Sequence, residues 1–163
     1  MEMLDRPFRA QIGPYWILLP GGAKMSAEVK EPTFGAYQTA LTNWVVLLGR
    51  FRLFIHLDPI TDLGGLKSII DLTTKGDVTT LSITVNGVSG VTHGDYGPPR
   101  TWIDWWFKKG DTMICLCLQS KSFPFTKPSE AEIAEHNAIV GSLKYCRDFP
   151  ELPPRPRGIA IDG

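Results

Sequence analysis

The run Thr112-Met-Ile-Cys-Leu-Cys-Leu-Gln119 constrains the fold more than any other stretch. Strand side chains point alternately to two faces, so Ile114, Leu116 and Leu118 oppose Met113, Cys115 and Cys117. Both sets are apolar, which predicts an inner strand covered on both sides. Just before it, Trp102 to Lys108 alternates as a second strand. Lys109-Gly110 joins the two, and glycine there permits the positive φ of a bulged hairpin turn. On the first of these strands Ile103, Trp105 and Phe107 face one side, and Trp102, Asp104 and Trp106 face the other. Residues 100–119 also hold three of the five tryptophans and two of the three cysteines.

Other stretches extend the pattern. Tyr15 to Leu19 is a short strand closed by Pro20-Gly21-Gly22. Residues 1–14 read as an irregular lead-in. Ala27 to Tyr37 is broken by Pro32 and Gly35 and suits an irregular edge. Trp44 to Leu48 is rich in β-branched residues, although 36–48 has a lesser reading as one helix. Phe51, Leu53, Ile55 and Leu57 recur with period two, a strand. Ile60, Leu63, Leu66, Ile69 and Ile70 recur at helical spacing, predicting a helix over 61–74 despite Gly64-Gly65. Leu81, Ile83 and Val85 alternate with Ser82 and Thr84 as a half-buried strand ending at the tight turn Asn86-Gly87. Residues 88–99 read as a long loop or a ragged hairpin return. After a linker over 124–128, Ser129-Glu-Ala-Glu132 matches a capping box and opens a helix to about Tyr145. Ile139, Val140, Leu143 and Cys146 form its apolar stripe.

The 163 residues suit one domain, 1–149, followed by a Pro-rich extended or disordered tail, 150–163. An apolar content of 43% argues against disorder of the whole chain. Seventeen basic residues balance seventeen acidic ones, and without a basic excess no nucleic-acid partner is expected. No segment approaches the roughly 18–20 apolar residues of a membrane span. No signal-peptide pattern opens the chain, so a cytoplasmic location is expected. Cys115 and Cys117 lie about 7 Å apart along one strand face, too far for an easy disulfide, and read as reduced, buried thiols.

Three stretches carry a family likeness: Tyr15-Trp-Ile-Leu-Leu-Pro-Gly-Gly22, Phe107-Lys-Lys-Gly-Asp111 and Ile139-Val-Gly-Ser-Leu143. With them the chain resembles a family that includes the PsbP photosystem subunit, bacterial DcrB-like proteins and the Ran-binding nuclear import factors. The apolar segment from Trp44 to Leu57 departs from that family. The resemblance implies an α+β fold, a central antiparallel β-sheet flanked by helices in an α/β/α sandwich. It also implies a binding subunit, adaptor or chaperone, and it offers no catalytic residues to carry across.

The residues themselves offer two candidate sites. The Trp102/Asp104/Trp106 face is either covered by a helix or exposed as an aromatic binding patch. A carboxylate such as Asp104 is seldom buried alone, and Arg100 or Lys108 could partner it. The alternative is a small-ligand or catalytic loop in which His93, Asp95 and Tyr96 lie close between glycines. Gly87-Val-Ser-Gly-Val91 lacks the spacing of a nucleophile elbow. His56 and Asp58 with Cys115 and Cys117 lack zinc-ligand spacing, so no metal is assigned. Neither phosphate-binding nor dinucleotide motifs occur, and no cofactor is assigned. His136, four residues after Glu132, reads as an intrahelical pair. Pro150-x-x-Pro153-x-Arg155 fits a polyproline ligand or a solvated tail. The leading expectation is a small non-enzymatic protein that binds another protein or itself. In the self-associating version the tryptophan face lies between copies.

Overall fold

The computed structural model describes residues 2–3, 6–30, 41–58, 62–74, 80–120 and 125–149. The tail reading, the 31–37 part of the irregular edge and residue 124 of the linker lie outside these. In chain order the strands are β1 (Glu2–Met3), β2 (Phe8–Ile12), β3 (Tyr15–Leu19), β4 (Lys24–Lys30), β5 (Leu41–Leu48) and β6 (Phe51–Asp58). Helix α1 (Leu63–Thr74) follows, then β7 (Leu81–Val85), β8 (Val88–Asp95), β9 (Trp102–Lys109), β10 (Thr112–Ser120), helix α2 (Glu130–Gly141) and β11 (Lys144–Tyr145). The main sheet runs β1-β4-β5-β6-β10-β9-β8-β7 with antiparallel pairing throughout, and a small sheet runs β11-β3-β2. The architecture is α+β, dominated by antiparallel sheet.

β10 lies between β6 and β9, and Met113 to Leu118 are all buried. This is the inner strand that its two apolar faces demand. Ile103, Trp105 and Phe107 of β9 join Ile114, Leu116 and Leu118 of β10 in the core. Phe8, Ala10 and Ile12 of β2 and Tyr15, Ile17 and Leu19 of β3 belong to the same cluster. Helix α2 adds Ile139 and Val140. The Tyr15 hydroxyl accepts from the Lys109 N–H at 2.9 Å and bonds the Thr112 carbonyl, so it pins the small sheet to the β9–β10 turn. Burial pushes its pKa up to about 12, which keeps the phenol protonated as a donor.

Four local readings need correction or a choice between alternatives. Residues 8–12 are not irregular: Phe8, Ala10 and Ile12 alternate with Arg9 and Gln11, and the buried trio faces the core. The stretch is too short, and too close to Gly13-Pro14, for its period to stand out. Residues 88–95 are the return strand of a hairpin with β7, the second of the two readings, and not a long loop. Their glycines are packing devices, because a Cβ on Gly90 would overlap the Phe107 ring and the Trp106 carbonyl. Helix α2 ends at Gly141 instead of continuing to Tyr145. The Ser142 hydroxyl donates to the Ile139 carbonyl at 2.6 Å and accepts from the Leu18 N–H at 2.8 Å, turning the chain into β11. Leu143 stays buried, so its helical spacing from Ile139 and Val140 mimicked a longer stripe. Last, Leu81 at the end of β7 is 58% exposed, while Ile83 and Val85 are half-buried as read.

The Ser129 capping box forms as its sequence predicts. Its Glu132 does not pair with His136, however. Both Glu132 oxygens take hydrogen bonds of 2.8 Å from Arg50, which also donates to the carbonyls of Thr126 and Lys127. That clamp ties the β5–β6 turn to the start of α2 and holds the Glu132 carboxyl down at about 2.

Candidate functional site

Antiparallel register sets the reverse face of the sheet. His93 of β8 lies opposite Asp104 of β9, Asp104 opposite Cys117 of β10, and Cys117 opposite Phe54 of β6. One row further along, Val91, Trp106, Cys115 and His56 are aligned in the same way. Asp95, Trp102 and Gln119 form the row on the other side. Side-chain alternation puts all three rows on the face away from the core cluster.

Helix α1 packs against β8 and β9, and none of its residues belongs to the core cluster. Its Asp71 bonds Thr80, whose hydroxyl lies 3.4 Å from Nδ1 of His93. The helix therefore sits on the His93/Asp104 side and covers part of that face. Trp106 is half-buried there, whereas Trp102 stays 39% exposed. The face is thus neither wholly covered nor wholly open.

Trp102 is held in place. Its indole Nε1 donates to Asp104 Oδ2 at 3.0 Å, and the Arg100 guanidinium sits 4.7 Å from its ring centre. Arg100 reaches the aromatic ring and not the carboxylate, so the expected Arg100 or Lys108 partner of Asp104 is replaced. The Trp102 indole and the Cys117 thiol donate to Asp104 instead. Burial raises the Asp104 pKa above its ordinary 3.8, against the lowering effects of those two donors and of His93 and His56. Burial and the neighbouring Asp104 push the Cys117 thiol up to about 12, which leaves it a donor and a poor nucleophile.

The Asp104 shift has a measurable consequence. Folded Asp104 keeps its proton to higher pH than the unfolded chain does. Between 3.8 and the raised folded value the unfolded state binds fewer protons, so stability falls as pH rises. Asp104→Asn keeps an acceptor for both donors and removes the titration. The variant is expected to gain on the wild type as pH rises from about 4 to 7, as read from urea midpoints. A constant offset across that range would show that Asp104 does not titrate as described.

His93, Asp95 and Tyr96 do not converge. His93 faces Asp104. Asp95 is exposed and accepts from the Gly97 N–H at 2.9 Å. The Tyr96 hydroxyl lies 3.1 Å from Nδ1 of His136. His136 is buried, stacks on Tyr96 and meets Phe51 edge-on at 4.6 Å. Burial lowers its pKa, which favours the neutral ring. A cleft of about 280 Å³ opens beside it, between Pro20–Ala23, Leu47–Phe51 and α2. None of His93, Asp95, Tyr96 and Trp102 lines that cleft.

Sequence reasoning missed the Tyr96–His136 and Asp104–Cys117 contacts. The first joins residues far apart in the chain, and the second follows from the predicted hairpin only once its register is known. Cys115, Cys117 and Cys146 form no disulfide. Among the described residues no group of three His, Cys, Asp or Glu could hold a metal ion, and no helix is long and apolar enough to cross a membrane.

No family model and no curated protein matches the chain. A solved structure does: the solution structure of cyanobacterial PsbP (CyanoP) from Synechocystis. The match has a TM-score of 0.52 at 12% identity and covers 87% of this chain and 94% of that one. The fold is PsbP-like. At this identity the likeness speaks for the fold alone. In a PsbP-like fold with this strand order, Trp102 and Asp104 lie on β9 next to the inner strand, carried by rigid sheet.

Proposed function

We propose that this chain is a non-enzymatic binding or adaptor protein whose contact patch centres on Trp102, with Asp104, Trp106 and His93 behind it. The observation that carries this reading is the exposed Trp102 ring, fixed from two directions by Arg100 and Asp104. A tryptophan held in one rotamer loses little entropy on binding, and such anchors dominate protein interfaces. The separation of His93, Asp95 and Tyr96 favours this reading over a catalytic loop. The implied binding role of PsbP-like proteins agrees with it, although one fold hosts many functions.

The test is a photoreactive residue placed at position 102, compared with one at the exposed Asn137 on α2. The 102 probe should capture a distinct protein that excess wild-type chain competes away and excess Trp102→Ala chain does not. Equal capture from both positions, or equal competition by both chains, would remove the patch from the interface.

A further inference from the structure

The main sheet ends at β7, whose outer edge carries no strand among the described residues. Natural sheets usually protect such an edge with lysine, proline, a bulge or extreme shortness. Thr80 to Asn86 contains no charged residue and no proline, and β7 is five residues long with regular pairing to β8.

The two-residue turn at Asn86 (φ 48°) and Gly87 (φ 79°) makes Val85 and Val88 a hydrogen-bonded pair. By alternation Ile83 and Leu81 also spend their backbone groups on β8. The N–H and C=O groups of Ser82 and Thr84 therefore point outward. Leu81, Ile83 and Val85 project to the core side, and Ser82 and Thr84 to the reverse face. The strand Leu-Ser-Ile-Thr-Val reads apolar, hydroxyl, apolar, hydroxyl, apolar in both directions.

We propose that β7 pairs antiparallel with β7 of a second copy across a twofold axis at Ile83, joining two main sheets into one. In this register Ser82 meets Thr84 of the second copy twice, and each meeting makes two backbone hydrogen bonds. All four outward groups of each strand are used. Ile83 faces its own counterpart in the close, non-hydrogen-bonded pair. Leu81, 58% exposed in the single chain, is covered by Val85 of the second copy. The interface is isologous, as a closed dimer requires, and no charge has to be desolvated. Its area falls below the roughly 1,200 Å² of a standard interface, so the dimer forms only at raised concentration. The pairing leaves Trp102 free, because β9 is separated from β7 by β8.

Sedimentation equilibrium from about 10 µM to 1 mM tests the pairing. The wild-type mass should climb from 18.1 kDa toward twice that value. Ser82 and Thr84 are exposed, so both accept charge without disturbing the core. The double variant Ser82→Lys/Thr84→Lys places like charges opposite each other twice and should stay at 18.1 kDa. Ser82→Lys/Thr84→Glu places opposite charges in the same pairs and should dimerise at least as well as the wild type. Circular dichroism confirms that both variants fold. A wild type that stays monomeric at 1 mM overturns the proposal, including one that instead takes up a strand from another protein. A dimer that survives the double lysine lies on another surface. A lysine–glutamate variant that is monomeric overturns the register.

Discussion

Trp105→Ala is expected to lower the unfolding free energy by roughly 3–5 kcal/mol, the usual range for a large core aromatic. Trp102→Ala, three residues earlier on the same strand, should change it by about 1 kcal/mol. Trp105 is 6% exposed and packs with Leu48, Leu53, Leu118, Ile139 and Val140, residues from three strands of the sheet and from α2. Removing its ring opens a cavity that β-structure on one side and a helix on the other cannot close. Trp102 loses a cation–π contact and one hydrogen bond, both at the surface, where water replaces them. Urea unfolding followed by circular dichroism reads both values. Equal losses would make Trp102 a structural residue and take away the basis for a contact patch there.

The Trp105 half of that contrast was legible in the sequence, because period-two alternation needs no knowledge of which strands meet, whereas whether Trp102 is covered or exposed stayed open there. Alternation placed Trp105 with Ile103 and Phe107 and marked Met113 to Leu118 as an inner strand. The reverse-face pairings were not legible. Asp104 finds Cys117 because β9 and β10 are a hairpin, but its dependence on His56 needs β6 on the far side of β10. Neighbouring charge suggested Arg100 for Asp104. The aromatic ring of Trp102 lies between them and takes the guanidinium itself. The loop alternative for 88–95 failed, and the hairpin return held, for a related reason. Glycine marks turns when seen along the chain, whereas Gly90 and Gly94 are small because β9 comes close to them.

Gly94→Ala should be among the most damaging single-methyl additions, and its cost should be largest at the contact patch. Gly94 has φ 107°, a conformation that costs a residue with a Cβ roughly 1–3 kcal/mol. The added carbon would overlap the Trp102 carbonyl oxygen and lie 2.9 Å from the Ile103 Cα. These are backbone atoms of β9, which cannot swing aside as the end of a side chain can. The strain is relieved only by parting β8 from β9 at the Gly94–Ile103 pair, next to Trp102 and Asp104. Gly49→Ala separates the two causes. Gly49 also has a positive φ, 60°, but nothing lies within 4 Å of a Cβ there. Both variants carry the conformational cost, and only Gly94→Ala adds the overlap. Gly94→Ala should therefore lose more stability in urea and shift tryptophan emission to the red, as Trp102 comes away from Asp104. If the two variants unfold at the same urea concentration with unchanged emission, the β8–β9 contact does not hold Trp102, and the fixed ring that supports the binding patch has another origin.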